Sequence, residues 1–315
     1  MNTYYIGYST DDDIRFRSAS GGVGTAIIKY LLESKEYGTG MTFVFNKSRC
    51  QYEPKLIYGF DEYNNCGSVY QDTDTIGFIK ANLQNIRDGI VVTCMPCQVR
   101  PIKSILNRSN IKHFIVSLFC SGQTTVQGTW QYYSFMGIRK EDVENIQYRG
   151  NGWPSGIQIR LKNGDVRRRD NYTYPWTLIQ KSLLFRPKRC LSCTLKTSPD
   201  ADVTLADPWL KEYIENDHAG NSIIICNKTG AAIVKRMENE KKLSLKAVDE
   251  DTYVSSQRWT IQEKTHANQN KVFNKVVGRM GAEGSIYKKS ISKSEKLFRV
   301  HMRVLRVLRR YLVKS

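Results

Sequence analysis

The chain alternates short apolar runs with segments of helical periodicity over most of its length. Thr3 to Tyr8 predicts a strand, and Gly21 to Leu32 a helix capped by Ser20. Met41 to Phe45 predicts a second strand. Thr73 to Ile86 is helical in pattern, and Ile90 to Cys94 is a run rich in Val and Ile. Val99 to Leu106 again has helical spacing, and Phe114 to Phe119 is another continuous apolar run. Strands that are apolar throughout and separated by helices belong to a sheet covered on both faces. Gly156 to Leu161 alternates instead, and Asn163-Gly164 before Val166 is a hairpin signal. Ile223 to Ile225 predicts one more buried strand, followed by a helix from Thr229 to Met237. The expectation is an α/β core with a mixed sheet.

The pattern changes after about Glu263. Lys264 to Lys275 is polar, and Gly278 to Gly284 reads as loop. Ser294 to Ser315 then predicts a basic amphipathic helix. Leu297, Phe298, Met302, Leu305, Leu308 and Leu312 fall on one side, with Arg299, Arg303, Arg306 and Arg310 on the other. The expected organisation is a core over 1–262, a polar linker over 263–293 and the basic helix over 294–315. The helix is expected to dock outside the core, on an anionic membrane surface or a partner. Packing on its own domain carries equal weight.

Composition narrows the picture. At 315 residues the chain can bury a substantial core. No window of eighteen apolar residues occurs, and the N-terminus lacks the plan of a signal peptide. A cytoplasmic location follows, peripheral on the inner membrane face if the basic helix docks there. In that compartment the eight cysteines read as ligands, reactive groups or core filler rather than as a disulfide frame. Net charge is +18, from 48 Lys and Arg against 30 Asp and Glu. Such a balance invites anionic partners. The motifs of nucleic-acid readers are missing, so nucleic acid ranks below a membrane surface or an anionic cofactor.

Four stretches carry candidate chemistry. Cys97 follows one apolar run, Cys120 ends another, and Cys190 and Cys193 form a C-x2-C. Four thiols from separate chain positions fit an iron–sulfur cluster; a structural zinc site and buried filler are the alternatives. Arg17-Ser18-Ala19-Ser20-Gly21-Gly22-Val23-Gly24-Thr25 combines hydroxyls, glycines and a helix start, which suits a pyrophosphate or flavin edge. On these residues alone, a plain N-cap with small residues for close packing is the favoured reading. Asp202 and Asp207 bracket a short strand. Asp207 could orient a cofactor or simply begin an Asx turn before Pro208. Arg149-Gly150-Asn151-Gly152-Trp153 joins a cation to an aromatic, as a ring-binding loop or as a turn with a packing Trp.

These residues together resemble the coenzyme F420 hydrogenase/dehydrogenase beta-subunit family. The resemblance is carried by Ser18 to Gly22, by Gly67-Ser68-Val69-Tyr70-Gln71, by Pro96-Cys97-Gln98 and by Phe119-Cys120-Ser121-Gly122. Arg149 with Gly152-Trp153, Arg186 to Cys193, Ala201 to Trp209 and Asn221-Ser222 complete it. It covers about Tyr4 to Met237. It implies a mixed-sheet flavin/iron–sulfur domain, here with the C-terminal basic helix added.

The implied cofactors are FAD and a [4Fe-4S] cluster, with coenzyme F420 as a further candidate. Cys97, Cys120, Cys190 and Cys193 match the family's cluster positions. Ser18, Ser20, Gly21, Gly22, Thr25, Ser68, Gln71, Arg149 and Asp207 are the candidate flavin contacts. Cys94 stands where relatives carry glycine, and Cys50, Cys66 and Cys226 match nothing in the family pattern. Ser121 and Ala206 depart from the family's usual His and Gly, and the ferredoxin-like segment that opens many relatives is missing. The implied activity is electron passage between an external donor and an organic substrate, the donor being a ferredoxin-like protein or a partner subunit. Surface-polysaccharide biosynthesis is a candidate setting. A non-catalytic cluster-bearing electron-transfer or scaffold subunit is the alternative.

Overall fold

The computed structural model describes residues 2–65, 67–215, 220–284 and 295–313. Cys66, Ser294, Lys314 and Ser315 lie outside the described residues. The strands are β1 (Thr3–Ser9), β2 (Thr39–Asn46), β3 (Gln51–Ile57), β4 (Ile90–Cys94), β5 (His113–Leu118), β6 (Val143–Gln147), β7 (Gly156–Leu161), β8 (Val166–Asp170), β9 (Val203–Ala206), β10 (Ser222–Cys226) and β11 (Leu243–Val248). Eight of them form one sheet in the order β11-β1-β10-β9-β5-β4-β2-β3, and β6-β7-β8 form a second. The large sheet is mixed. β2, β4, β5 and β9 run parallel, while β3, β10, β1 and β11 join antiparallel.

Both faces of that sheet are covered, as its apolar strands require. On one side the helix Val23–Glu33 buries Val23, Ile27, Ile28 and Leu31 against Val91, Val116 and Ile224. The helix Lys228–Asn239 adds Val234 and Met237. On the other side the helices Thr75–Ala81 and Pro96–Arg108 bury Ile79, Val99, Ile102 and Leu106 against Met41, Ile90, Val92 and Ile115. The hairpin expected at Asn163-Gly164 is the β7–β8 pair.

Two sequence expectations are corrected, and for the last helix one of the two expected placements is found. Ser20 does not cap the helix that follows it. The N-cap is Gly22, in the left-handed region at φ 73°, with no side-chain cap bond. The Ser20 hydroxyl donates to the carbonyl of Asn221 instead, at 2.9 Å.

The stretch read as polar linker holds the helix Lys271–Met280, with Gly278 inside it. Phe273, Val277 and Met280 lie on one face of that helix and are buried. Three apolar residues at steps of four and three suffice for a core face, even among polar neighbours.

The basic helix spans Glu295–Leu312 and is not an appendage. Phe298, Met302 and Leu305 enter the same core cluster as Phe273, Val277, Tyr132 and Trp176. The rings of Phe298 and Phe185 stack at 5.8 Å.

Candidate functional site

The parallel strands set the site. β4, β5 and β9 are neighbours in register, so the segments that follow them leave the same edge of the sheet. That edge carries Cys97 after β4, Cys120 after β5 and Asp207 after β9. Ligand sites of α/β sheets gather at the carboxyl ends of parallel strands.

A cavity of about 860 Å³ opens there. Ser18, Ser20, Gly22, Thr25, Ser68, Gln71, Arg149 and Asp207 line it. Gly21 does not. A Cβ there would meet the backbone of Asn221 and Ser222 at 2.9 Å, so Gly21 lets the loop close against the strand rather than against a ligand. The Gln71 amide, although on the wall, is held at both its oxygen and its nitrogen. Its oxygen accepts from the Tyr52 N–H at 2.7 Å and its nitrogen donates to the Tyr148 hydroxyl at 2.8 Å.

The part of the wall that could hold an anion is the start of the helix Val23–Glu33. Gly22, Gly24 and Thr25 face the cavity there, and the side-chain cap is missing. First-turn N–H groups without a cap bind anions readily. The Ser18 and Thr25 hydroxyls stand 3.4 Å apart on the same wall.

Arg149 is the most constrained polar group of the site. It is 3% exposed. Nη1 donates to Asp207 Oδ2 at 2.7 Å, and Nη2 to the Ala19 carbonyl at 2.7 Å. Burial opposes its charge, but Asp207 and the phenol oxygens of Tyr70 and Tyr172 outweigh burial and hold the guanidinium firmly protonated. Its Nε is buried without a hydrogen-bond partner, one donor still open on a cavity-lining residue. Gly67, at φ 65°, lets its loop close on Arg149; a Cβ there would stand 2.2 Å from the Arg149 carbonyl oxygen. Trp153 lies under the guanidinium at 5.2 Å and its ring meets Trp209 at 5.2 Å.

The four family-matched cysteines cluster beside this cavity. Cys190 and Cys193 flank one tight turn, with the Cys193 N–H on the Cys190 carbonyl at 3.4 Å. The Cys120 N–H donates to the Lys196 carbonyl at 2.9 Å, which ties the β5 end to that same loop. The Cys97 residue is exposed, yet its thiol is partly desolvated. That desolvation, with repulsion from Cys120, Cys190 and Cys193, raises its pKa. The Cys120 thiol is raised by burial, against the opposing pull of Lys264 and an N–H from Gly122.

Among the described residues no three or more His, Cys, Asp or Glu side chains stand close enough to hold a single metal ion. A zinc ion draws its thiolates to about 2.3 Å from one centre. The thiolates of a cubane bind different irons and stand further apart. The four thiols lie within electrostatic range of one another and are the candidate ligand set for a cluster. Cys94 and Cys226 are core residues, with the Cys226 thiol pushed up to about 12 by burial.

Several contributors escape a sequence reading. Tyr70 and Tyr172 flank Arg149 through long-range packing. Lys264, read as the start of a polar stretch, is buried and places its charge by Cys120. Met302, Leu305, Arg306 and Arg309 of the last helix line the cavity. The amphipathic pattern of the helix is the signal for Met302, Leu305 and Arg306, and the Gly67 to Gln71 motif for Tyr70; nothing local marks Tyr172, Lys264 or Arg309.

Two family models match the chain. One, described as the N-terminal part of the coenzyme F420 hydrogenase/dehydrogenase beta subunit, covers residues 4–73. The other, described as its C terminus, covers residues 88–251. Among solved structures, a chain of the xenon-derivatised F420-reducing [NiFe] hydrogenase complex from Methanosarcina barkeri shares the fold. The TM-score is 0.63 at 17% identity, over 90% of this chain and 94% of that one.

Proposed function

Because the chain belongs to the coenzyme F420 hydrogenase/dehydrogenase beta-subunit family, a family of oxidoreductase subunits, we propose that it is a flavin- and [4Fe-4S]-dependent oxidoreductase. It takes electrons from an external donor, a ferredoxin-like protein or a partner subunit, and passes them to an organic acceptor. The observation that carries this reading is the joining of two features at one sheet edge. Cys120 lines the cavity and also interacts with the thiols of Cys97, Cys190 and Cys193. One chain position thus connects the candidate cluster corner to the candidate flavin chamber.

The residues fit the groups assigned to them. A cavity of about 860 Å³ suits a dinucleotide-sized ligand. The uncapped start of the helix Val23–Glu33, with Ser18 and Thr25, would hold the anionic part of FAD. Arg149, fixed by Asp207 and Ala19, would place a positive charge beside the flavin. Trp153 and Tyr70 keep water from that guanidinium. Cys97, Cys120, Cys190 and Cys193 would hold the cluster, and the Gly122 N–H on the Cys120 sulfur favours its thiolate form. Flavin and cluster together supply exchange between one-electron and two-electron chemistry.

No described helix is long and apolar enough to cross a membrane. The reading places the protein in the cytoplasm. A surface-polysaccharide pathway and coenzyme F420 as acceptor are the settings to test first. Anaerobic purification with absorbance and iron analysis decides the cofactors. Flavin bands over a broad cluster shoulder are expected. A cluster without flavin would instead mark a non-catalytic electron-transfer scaffold, and iron content unchanged in Cys190→Ala/Cys193→Ala would reject the ligand set.

A further inference from the structure

The last helix has two apolar stripes, and the described residues cover only one. Phe298, Met302 and Leu305 are buried in the core. Val300, Val304, Val307 and Tyr311 follow one another at steps of four, three and four, so they share a second face. They are 46%, 45%, 51% and 83% exposed. Three valines and a tyrosine in line on the outside of a helix are not the scattered apolar residues of an ordinary surface.

Beside that stripe runs a rail of cations. Lys296, Arg303 and Arg310 recur at steps of seven, about two turns apart, and all three are exposed. Arg306 is exposed one turn from Arg303 and Arg310. From Lys296 to the end of the chain there is no Asp or Glu. The whole chain carries +18.

These charges select the occupant. Two copies of this helix face to face would set one cationic rail close to another, with no acidic residue to relieve them. What complements an apolar stripe edged by cations is a surface that is both apolar and anionic. We propose that the outward face of the helix Glu295–Leu312 docks on an anionic lipid bilayer. Val300, Val304, Val307 and Tyr311 enter the boundary between headgroups and acyl chains, and Lys296, Arg303 and Arg310 meet the headgroups. Apolar burial and a polybasic rail together give firm interfacial binding where either alone is weak. The opposite side of the same helix carries Met302 and Leu305 on the cavity wall, so docking sets one edge of the cavity beside the headgroups.

This docking does not depend on the cofactor assignment and can fail or hold by itself. The test uses the full-length protein and sedimentation with vesicles. Vesicles of phosphatidylcholine with 30% phosphatidylglycerol (about one charged lipid in three) are compared with phosphatidylcholine alone, at low and high salt. Binding to the anionic vesicles only, weakened by salt, is expected. Val304→Asp/Val307→Asp, both on the exposed face, should keep the native melting temperature and lose binding. Arg303→Gln/Arg310→Gln should weaken it roughly thirtyfold, from the loss of two cations at the headgroups. No sedimentation at low salt overturns the proposal. So does equal binding to neutral vesicles, or undiminished binding of the Val304→Asp/Val307→Asp protein. A dimer in sedimentation velocity that this double variant abolishes, with no vesicle binding, would assign the face to a second copy and overturn it as well.

Discussion

The cavity has two unlike walls. At one, Arg149 is buried, ion-paired to Asp207, bonded to Ala19 and set over Trp153. Every neighbour restricts it. At the other, the last helix presents Met302 and Leu305 from its packed side and Arg306 and Arg309 from its exposed shoulder. Arg309 pairs with Glu263 at 3.2 Å, with both side chains nearly half exposed. The first wall is preorganised and belongs to the fold itself. The second is anchored by its apolar side, but its shoulder of Arg306 and Arg309 is solvent-edged and free to vary. Preorganised groups suit a fixed cofactor, and an adaptable rim suits the choice of acceptor.

The sharpest break of that contrast is Arg149→Met. It removes the buried member of the pair and leaves Asp207, 18% exposed at the cavity wall, without its cation, at an expected cost of about 3–5 kcal/mol in unfolding free energy. Flavin should be lost with it. Denaturant unfolding and bound-flavin absorbance check both. A variant that stays as stable as the parent would mean that the pair is not part of the framework.

The next test strikes the opposite wall from within. Phe298 is buried against Phe185 and Phe135. Phe298→Ala should cost about 3–5 kcal/mol. If the helix were an appendage, the melting temperature would not move. For the same reason a chain cut at Gly284 cannot serve as a clean control, because the cut opens the core and the cavity together.

The sequence disclosed the first wall far better than the second. β4, β5 and β10 are continuous apolar runs, and their periodicity located them within a residue or two. Arg149, Asp207 and the four cysteines were picked out because they sit beside strand ends or in glycine-rich loops, where chemistry and local pattern coincide. Ser20 was misread because a serine before a helical run looks like a cap, whereas the glycine after it took the left-handed turn. The helix Lys271–Met280 was missed because its buried face is only three residues wide. The second stripe of the last helix was hidden by the first, since a helical pattern says which residues share a face but not which face meets the core. Lys264 and Tyr172 reach the site through tertiary packing that no local pattern records.

A smaller effect probes the support beneath Arg149. Asp11 caps the helix Asp12–Arg17, accepting from the Ile14 N–H at 3.1 Å. The carbonyl of Phe16 in that helix receives the Gly152 N–H at 3.0 Å and so anchors the Arg149 loop. The Ile14 N–H, and to a lesser degree Lys29, hold the Asp11 carboxyl below its ordinary pKa against the opposing effect of burial. A depressed carboxylate stabilises the fold fully above its unfolded value, and that contribution is lost as pH falls through the folded value. Asp11→Ala should therefore cost about 1 kcal/mol at neutral pH. The gap from the parent should narrow below about pH 4. A gap independent of pH would show that the carboxylate charge plays no part.

The smallest effect on stability belongs to Arg306, which is exposed on the cavity rim. Arg306→Ala should change unfolding free energy by no more than about 0.5 kcal/mol. Flavin and iron content should stay as in the parent. Its consequence lies in the acceptor. A single exposed cation contributes about 0.2–1 kcal/mol to holding an opposite charge, so KM for an anionic acceptor should rise roughly two- to fivefold. Reoxidation of the reduced protein by anthraquinone-2,6-disulfonate and by uncharged menadione separates charge from shape. The anionic dye should suffer the loss and the neutral one should not. An equal loss for both would make Arg306 a steric part of the rim, and the division into a fixed wall and a selecting wall would fail at that residue.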